Sequence, residues 1–509
     1  MSTATAPRFY VPTGHSRPDT IKTLHYLQKI SHKEHQERED HKEELRGFCS
    51  LSYREVIRSD CLQQPPFPSF VIFVPLCLCE SSKKNDQKCS LLSIHYATLF
   101  INEEKNIMIE IRRLTSEDLL QFYRMHTIVY NLRKDYSKEE NQKIDPLDHP
   151  AQWAWGAFEN GKFLAGMYEI DFLMRFDGRS VKMSGIGGVG TLPEARKGGL
   201  IRRIFEKFLP EAYEQGVIFS NLTPFSHDFY RKFGYEIACA RKNLSISTDD
   251  FSSLKPQGEF IPVLPGDDTS LLAEVHSAYI ADLNHGIHRD YWPDNRAWKR
   301  FTRDEPCATG TYLYLWKDET GKARSYIKYQ DLLQDGEHNM SVTELAFIDQ
   351  KGLYGALGIV SGLSAQFKNF RWLMPVFIDP YDFADDAWSV EQEFRPRDMT
   401  RVINVKAALE MMRRPAGEGS YIIETEDSHI MANNGKYLVE FGPEGSRVSP
   451  TGKDAHLRCD MRVLSQLVTG YRSLENALYS RGEGLELRGN RETLNRVFTL
   501  RPQYVTEYF

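Results

Sequence analysis

From residue 109 onward, hydrophobic and polar positions follow one another with a legible period. Residues 109–114 read as a strand, and Thr115 stands where a helix cap is expected, with Asp118 at the capping-box distance. Leu119, Phe122, Tyr123, His126 and Tyr130 then recur at helical spacing. Residues 153–158 and 163–172 read as strands joined by an Asn160-Gly161 turn, and Asp177-Gly178 turns into a third strand over 181–191. Leu200, Ile201, Ile204, Phe205, Phe208 and Leu209 share one face of a helix that Pro210 is expected to kink or shorten. Gly216 marks its expected end, and 217–222 is the next strand.

The order then repeats. A helix is predicted over 268–283, strands over 311–316, 325–329 and 342–347 with a turn at Glu319-Thr320-Gly321, and a helix over 353–367. This echoes the strand, hairpin, strand and helix of 153–209, so a second copy of one fold is expected. The last stretch changes character. Helices over 402–412 and 461–478 enclose short strands at 421–426, 430–432 and 437–441, the pattern of a small α+β domain. The expected organisation is an extension over 1–107, a first domain over 108–245, a second over 246–395 and a third over 396–509, mixed α/β and α+β throughout.

Residues 1–107 read differently. A dense charged stretch over 32–46 and a proline-rich one over 63–68 replace any sustained alternation. This segment is expected to be a poorly ordered extension or a product of start-site choice, with Met108 as an attractive native start. It holds five of the eight cysteines; Cys77, Cys79 and Cys89 fit no standard zinc spacing. Only Cys239, Cys307 and Cys459 serve the rest, which predicts a reducing, cytoplasmic setting without a disulfide framework. No apolar run reaches the length of about 18 residues that a membrane span needs, so no membrane partner is expected. A formal charge of −6 argues against a general nucleic-acid binder, yet allows local acidic pockets that attract cations. With 41% hydrophobic and 26% charged residues, the composition is that of an ordinary globular protein.

Two stretches carry candidate chemistry. In the first, a strand ends at Val189-Gly190-Thr191, a basic loop follows through Arg196-Lys197-Gly198-Gly199, and a helix opens with Leu200-Ile201-Arg202-Arg203. Unpaired N–H groups at a helix start, reinforced by the helix dipole, hold anions, and glycines let a phosphate come close. Three readings stand side by side: a solvated basic loop; a dinucleotide fingerprint at Gly185-x-Gly187-x-x-Gly190, whose glycines fall inside the strand; and the pyrophosphate loop of GNAT acetyltransferases. Arg196-x-x-Gly199-x-Ile201 matches the GNAT signature at its first two positions and departs at the third. The second stretch runs from Thr223 to Glu236 and contains Tyr230-x-x-x-Gly234-Tyr235, similar to the Tyr-x-x-x-Gly-Phe/Tyr element of the same enzymes. Tyr230 either packs on the fold or serves the coenzyme sulfur as a phenolic donor.

With a GNAT domain, a degenerate second copy and a small α+β domain, residues 108–509 resemble the Eis (enhanced intracellular survival) family, whose C-terminal domain is similar to sterol carrier proteins. The resemblance implies acetyl-CoA as co-substrate, no metal, N-acetylation of amines such as multi-amine aminoglycosides, polyamines or lysine side chains, and hexameric assembly. By position it implies that Val189, Gly190 and Thr191 pair with the pantetheine arm. Lys197, Gly198, Gly199, Leu200, Ile201 and Arg202 would form the pyrophosphate loop, and Phe225 and Ser226 lie beside the coenzyme. It also implies Tyr230 as general acid and the α-carboxylate of Phe509 as base. A free α-carboxylate is a weak base, with a pKa of about 3.3–3.7; burial raises it. A frayed tail is the other reading of 504–509.

Further candidates are read as structural first. Tyr130 and Trp155 are expected in the core, with pocket lining as the alternative. Glu169 and Glu507 are expected at the surface or in packing, with attraction of a cationic amine as the alternative. His285, His288 and Asp290 read as a loop without a third ligand at standard metal spacing. Lys351-Gly352-Leu353-Tyr354-Gly355 stands where the second copy's cradle falls; it lacks the arginine cluster, so no coenzyme is expected there. Two rival functions remain: a lipid-binding scaffold with a vestigial GNAT domain, and an acyltransferase dedicated to another donor or to one protein lysine.

Overall fold

The computed structural model describes residues 108–145, 149–480 and 484–507. The expectations for 1–107 and for Phe509 lie outside the described residues. The first lobe contains β1 (Ile109–Arg113), α1 (Leu119–Val129), β2 (Ala154–Glu159), β3 (Lys162–Phe176), β4 (Arg179–Thr191), α2 (Leu200–Glu214), β5 (Phe219–Leu222), α3 (His227–Arg231) and β6 (Glu236–Ser247). The second contains β7 (Gly258–Pro262), α4 (Ser270–Ile280), β8 (Thr311–Asp318), β9 (Ala323–Gln334), β10 (Glu337–Phe347), α5 (Gln350–Gly362) and β11 (Asn369–Pro375). A long strand, β12 (Glu391–Val402), leads to α6 (Val405–Met411), β13 (Gly419–Glu426), β14 (Gly435–Gly442), β15 (Gly445–Pro450), β16 (Leu457–Asp460), α7 (Met461–Thr469), α8 (Leu474–Leu478), β17 (Leu485–Leu487) and α9 (Arg491–Val497).

Twelve of the described strands form one sheet in the order β1-β2-β3-β4-β5-β12-β6-β11-β10-β9-β8-β7. The two lobes therefore share a sheet, and the expected borders at 245/246 and 395/396 each fall inside a strand, β6 and β12. β12 lies between β5 and β6, antiparallel to both. Pro396, which has no N–H to offer, sits at a register shift in the pairing with β6. The C-terminal region adds a five-stranded sheet, β15-β14-β13-β16-β17.

α2 shows why the first lobe holds. Leu200, Ile201, Ile204, Phe205, Phe208, Leu209 and Ala212 are buried against Trp155, Ala157, Met167 and Ile186 of the sheet. Full burial of each Phe contributes about 1.5–3 kcal/mol. That packing carries the helix through Pro210 to Glu214, where a stop or kink was expected. Gly216, at φ +74°, follows the helix end as predicted.

Three other elements differ from expectation. The helix predicted over 402–412 begins only at Val405, because Val402 closes β12 and the Asn404 side chain accepts from Ala407 N–H at 3.0 Å as a cap. Residues 430–432 form no strand; a 3-10 turn, Met431–Asn433, stands there, its buried Asn433 side chain bonding Val405 N–H and the Ile403 carbonyl. The helix predicted over 461–478 is broken at Gly470, φ +74°, into α7 and α8.

Candidate active site

β4 pairs in parallel with β5 only over Met183–Ile186. Beyond Ile186 the edge of β4 that faces β5 has no strand partner, while its other edge stays paired with β3 to Thr191. A bulge interrupts that second pairing between Gly166 and Tyr168. The two strands thus part over Gly187–Thr191, and Val189, Gly190 and Thr191 lie along the gap. Helix α1 closes one side. His126 Nε2 lies 2.8 Å from the Gly188 carbonyl, and the Tyr130 hydroxyl donates to the Val189 carbonyl at 3.1 Å. Tyr130 is 48% exposed, so it borders the gap and is not the core residue expected. Burial lowers the His126 pKa, which favours the neutral ring, its Nε2–H donating to that carbonyl.

Thr191 leads through a 3-10 turn, Pro193–Ala195, to the basic loop. Lys197 and Gly199 both have positive φ, +68° and +70°. Gly199 is the N-cap of α2, and no side chain caps that helix. A Cβ at Gly199 meets nothing within 4 Å, so the approach to the first N–H groups of α2 is open. Arg202 is exposed and pairs with Glu206 at 3.4 Å. The arrangement suits a phosphate, which needs N–H donors, a positive helix end and steric room. The second lobe has the opposite electrostatics. At the start of α5 the carboxylate of Asp349 accepts from Gly352 N–H at 2.8 Å, so an internal anion already fills the helix end.

After β5, Ser226 caps α3, its hydroxyl accepting from Phe229 N–H at 3.4 Å. Phe225 is 70% exposed beside it. Tyr230 points inward and is 2% exposed, its ring 5.4 Å from Phe225 and 6.2 Å from Phe205 of α2. Burial, with Tyr130 and Tyr235 nearby, pushes its phenol well above the ordinary tyrosine value. The group therefore stays protonated at neutrality: it can donate and cannot act as a base.

An aromatic cluster continues from the bulge, with Tyr168, His149 and Trp153 half-buried and Trp292 buried behind them. Tyr168 lies 5.8 Å from His126 and 5.5 Å from His149, and His149 lies 5.6 Å from Trp153 and 5.5 Å from Trp292. Burial, then Arg300 and Arg296, pushes the His149 pKa down to about 3, so the ring is neutral. Sequence reasoning did not single out Tyr168, His149, Trp153 or Trp292. They are far apart in the chain, and no local period marks them.

The remaining candidates are structural. Trp155 is in the core, as expected, its Nε1 donating to Glu169 at 2.7 Å. Glu169 is 1% exposed, also accepts from Ser184 at 3.0 Å and pairs with Arg113 at 2.7 Å. It has no free face for a substrate amine. His285 Nδ1 lies 3.1 Å from Asn221, His288 Nε2 lies 2.9 Å from Ser180, and Asp290 accepts from Trp298; the three do not converge. Among the described residues, no three His, Cys, Asp or Glu side chains gather as a metal site.

The C-terminal tail is not frayed through Glu507. Asn284 N–H donates to the Pro502 carbonyl and Tyr504 N–H to the Asn284 carbonyl, at 3.0 and 3.1 Å. Thr506 Oγ1 accepts from Ile287 N–H at 3.1 Å. Tyr504 and Val505 are buried, and Glu507 pairs with Arg289 at 2.6 Å. Glu507 is thus an anchoring residue, not a surface one.

A family model described as an acetyltransferase (GNAT) domain matches residues 110–238, and one described as a sterol carrier protein domain matches 405–506. An uncharacterized N-acetyltransferase of Streptomyces avermitilis is 22% identical over 333 residues, 62% of this chain and 78% of that protein. The solved structure of a GCN5-related N-acetyltransferase from Anabaena variabilis ATCC 29413 is similar at a TM-score of 0.69 and 20% identity, covering 79% of this chain and 100% of that one. Eis1 from Mycobacterium abscessus is similar at a TM-score of 0.65 and 17% identity, with the same coverage. At such identities the structural likeness speaks for the fold.

Proposed function

The chain is an Eis-like acyltransferase of the GNAT superfamily with a sterol-carrier-like C-terminal domain, and on that premise we propose that it transfers acetyl directly from acetyl-CoA to primary amines in the gap between β4 and β5. The observation that carries this is the coincidence, at one gap, of an unpaired strand edge over Gly187–Thr191, an uncapped α2 start and the buried phenol of Tyr230. Lys197, Gly198, Gly199, Leu200, Ile201 and Arg202 would receive the pyrophosphate, Val189, Gly190 and Thr191 the pantetheine arm, and Phe225 and Ser226 its flank. The amine nitrogen attacks the thioester carbonyl, the new C–N bond forms and the C–S bond breaks. Tyr230 donates to the departing sulfur. Because its pKa is raised, it acts first as a hydrogen-bond donor; proton passage is favoured only where the sulfur too is desolvated.

The half-buried rings of Tyr168 and Trp153 support a cationic substrate, since π faces attract ammonium groups. For the base we propose the α-carboxylate of Phe509; what supports it is the anchored course of the tail through Glu507. Lipid carriage is the rival reading, and copurified lipid without coenzyme binding would favour it. Hexameric assembly, implied by the Eis resemblance, is proposed too and is checked by light scattering.

The test is acetyl-CoA turnover, read as thiol release, with an aminoglycoside, a polyamine and a lysine peptide. Turnover with the small amines supports the reading; turnover with the peptide alone moves it to a protein-lysine enzyme; none with any amine sinks it. A variant with one glycine added after Phe509 is expected to lose most activity, and full activity in it would remove the carboxylate from the mechanism. Gly199→Ala is expected to cost about 1–2 kcal/mol in left-handed strain and to raise KM for acetyl-CoA with little change in kcat. Thermal unfolding and steady-state kinetics check it.

A further inference from the structure

The turn that ends α3 is fastened from outside the first lobe. Arg401, on β12, is fully buried and donates through Nη1 to the carbonyl of Phe233. Its Nη2 bonds both carboxylate oxygens of Asp427, at 2.7 and 2.6 Å. Asp427 lies just after β13, in the C-terminal region, and is itself fixed there. Its Oδ1 accepts from the N–H groups of His429 and Ile430, at 2.9 and 3.1 Å, and its Oδ2 from Asn433 Nδ2 at 3.0 Å. Burial alone would raise its pKa, but the Arg401 charge and these bonds hold it below the usual carboxylate range.

Two hydrogen bonds pass this grip on to Tyr230. The N–H of Phe233 donates to the Tyr230 carbonyl at 2.9 Å, and that of Tyr235 to the same oxygen at 3.4 Å. Gly234, between them, lies at φ +80°, and a Cβ there would collide with the Arg401 guanidinium. The glycine of the Tyr-x-x-x-Gly-Tyr element is therefore the space that Arg401 fills. The Phe233 ring stacks on Phe205 of α2, 4.3 Å apart and 16° from parallel, so the same turn also touches the helix that opens the phosphate cradle. A buried guanidinium needs a counter-charge, and here it comes from the C-terminal domain.

We propose that Arg401 and Asp427 are positioning residues for Tyr230, so that the C-terminal domain serves acetyl transfer by lending the counter-ion that holds the end of α3 in register. The inference rests on the reading of Tyr230 as donor to the sulfur. A phenol displaced by a fraction of an ångström loses its alignment with the leaving group while the cradle, on α2, still takes the coenzyme.

The experiment is a set of full-length variants. Arg401→Met with Asp427→Asn removes both charges, leaves no unpaired buried ion and keeps an acceptor for His429 and Ile430 N–H. Circular dichroism and a thermal melt establish that it folds. Its kcat is expected to fall about tenfold with KM for acetyl-CoA within about twofold, since misalignment strikes the chemical step. Tyr230→Phe made in that background is expected to cost far less than in the parent, because the phenol is already out of place. Arg401→Lys, which keeps the charge and one donor, is expected to recover part of the loss and is read in the same way if the double variant does not fold. Parent-level kcat in a folded variant, or an equal cost of Tyr230→Phe in both backgrounds, overturns the inference and leaves the pair as packing. A parent in which Tyr230→Phe costs nothing instead sinks the donor reading itself, and the inference with it.

Discussion

Replacing Tyr230 by phenylalanine is expected to lower kcat about 100-fold and to leave KM for acetyl-CoA within about twofold. The ring is 2% exposed and packed among Phe205, Phe225, Phe229 and Tyr235, and phenylalanine keeps that packing. Only the hydroxyl goes, so stability should change little. The loss should also be insensitive to pH across neutrality. Burial holds the phenol well above its ordinary value, so the protonated form is the one present throughout. Steady-state kinetics from about pH 6 to 9 measure both points. A variant with parent kcat would leave Tyr230 a packing residue.

The second large effect concerns stability. Arg289 is 3% exposed and holds two carboxylates: Glu344 through Nη1 and Nη2 at 2.9 and 2.6 Å, and Glu507 through Nε at 2.6 Å. Arg289→Met is expected to cost about 3–5 kcal/mol, because it leaves both acids buried without a counter-charge. The sign of the pH dependence follows. In the parent, burial would raise the Glu344 pKa, but Arg289 brings it below the ordinary value. Its contribution is thus full above the unfolded pKa and is lost as pH falls through the folded one. In the variant the main opposing charge is gone and both acids shift upward, Glu507 from a value that burial already raises in the parent. The folded variant then binds more protons than the unfolded chain, so its stability rises as pH falls. The gap in Tm between parent and variant should narrow from about pH 8 to about pH 5. A gap that widens would mean that Arg289 does not govern these acids. The tail should loosen as well, and faster digestion by carboxypeptidase would report it.

The sequence is informative where chemistry and local geometry coincide. Asn160-Gly161 and Asp177-Gly178 have positive φ at both positions, as hairpin turns of this kind need, and the α2 stripe is buried residue for residue. The loop from Lys197 to Arg202 and the helix of Tyr230 could be named because each motif lies within one short segment. What long-range pairing decides was not legible. β12 is pulled between β5 and β6 by partners more than 140 residues away, so Val402 reads locally as the start of a helix. Tyr130 looks like a core residue by spacing, yet its hydroxyl turns out to the Val189 carbonyl across a strand the spacing does not see. Arg401 and Asp427 carry no local signal at all; a buried ion pair shows only once two distant segments meet.

The placement of β12 also bears on the order in which the molecule can be made. A chain grows from its N-terminus, and its parts fold as they emerge. The first lobe cannot complete its sheet on that schedule, because the strand that lies between β5 and β6 is residues 391–402, which follow the whole second lobe. Until those residues leave the ribosome, β5 and β6 present open edges one strand away from the gap where the candidate active site is built. A fragment ending near residue 245 would keep those edges open permanently, and open strand edges aggregate. The second lobe, whatever its ancestry, is thus the linker that must be synthesised before the first can close.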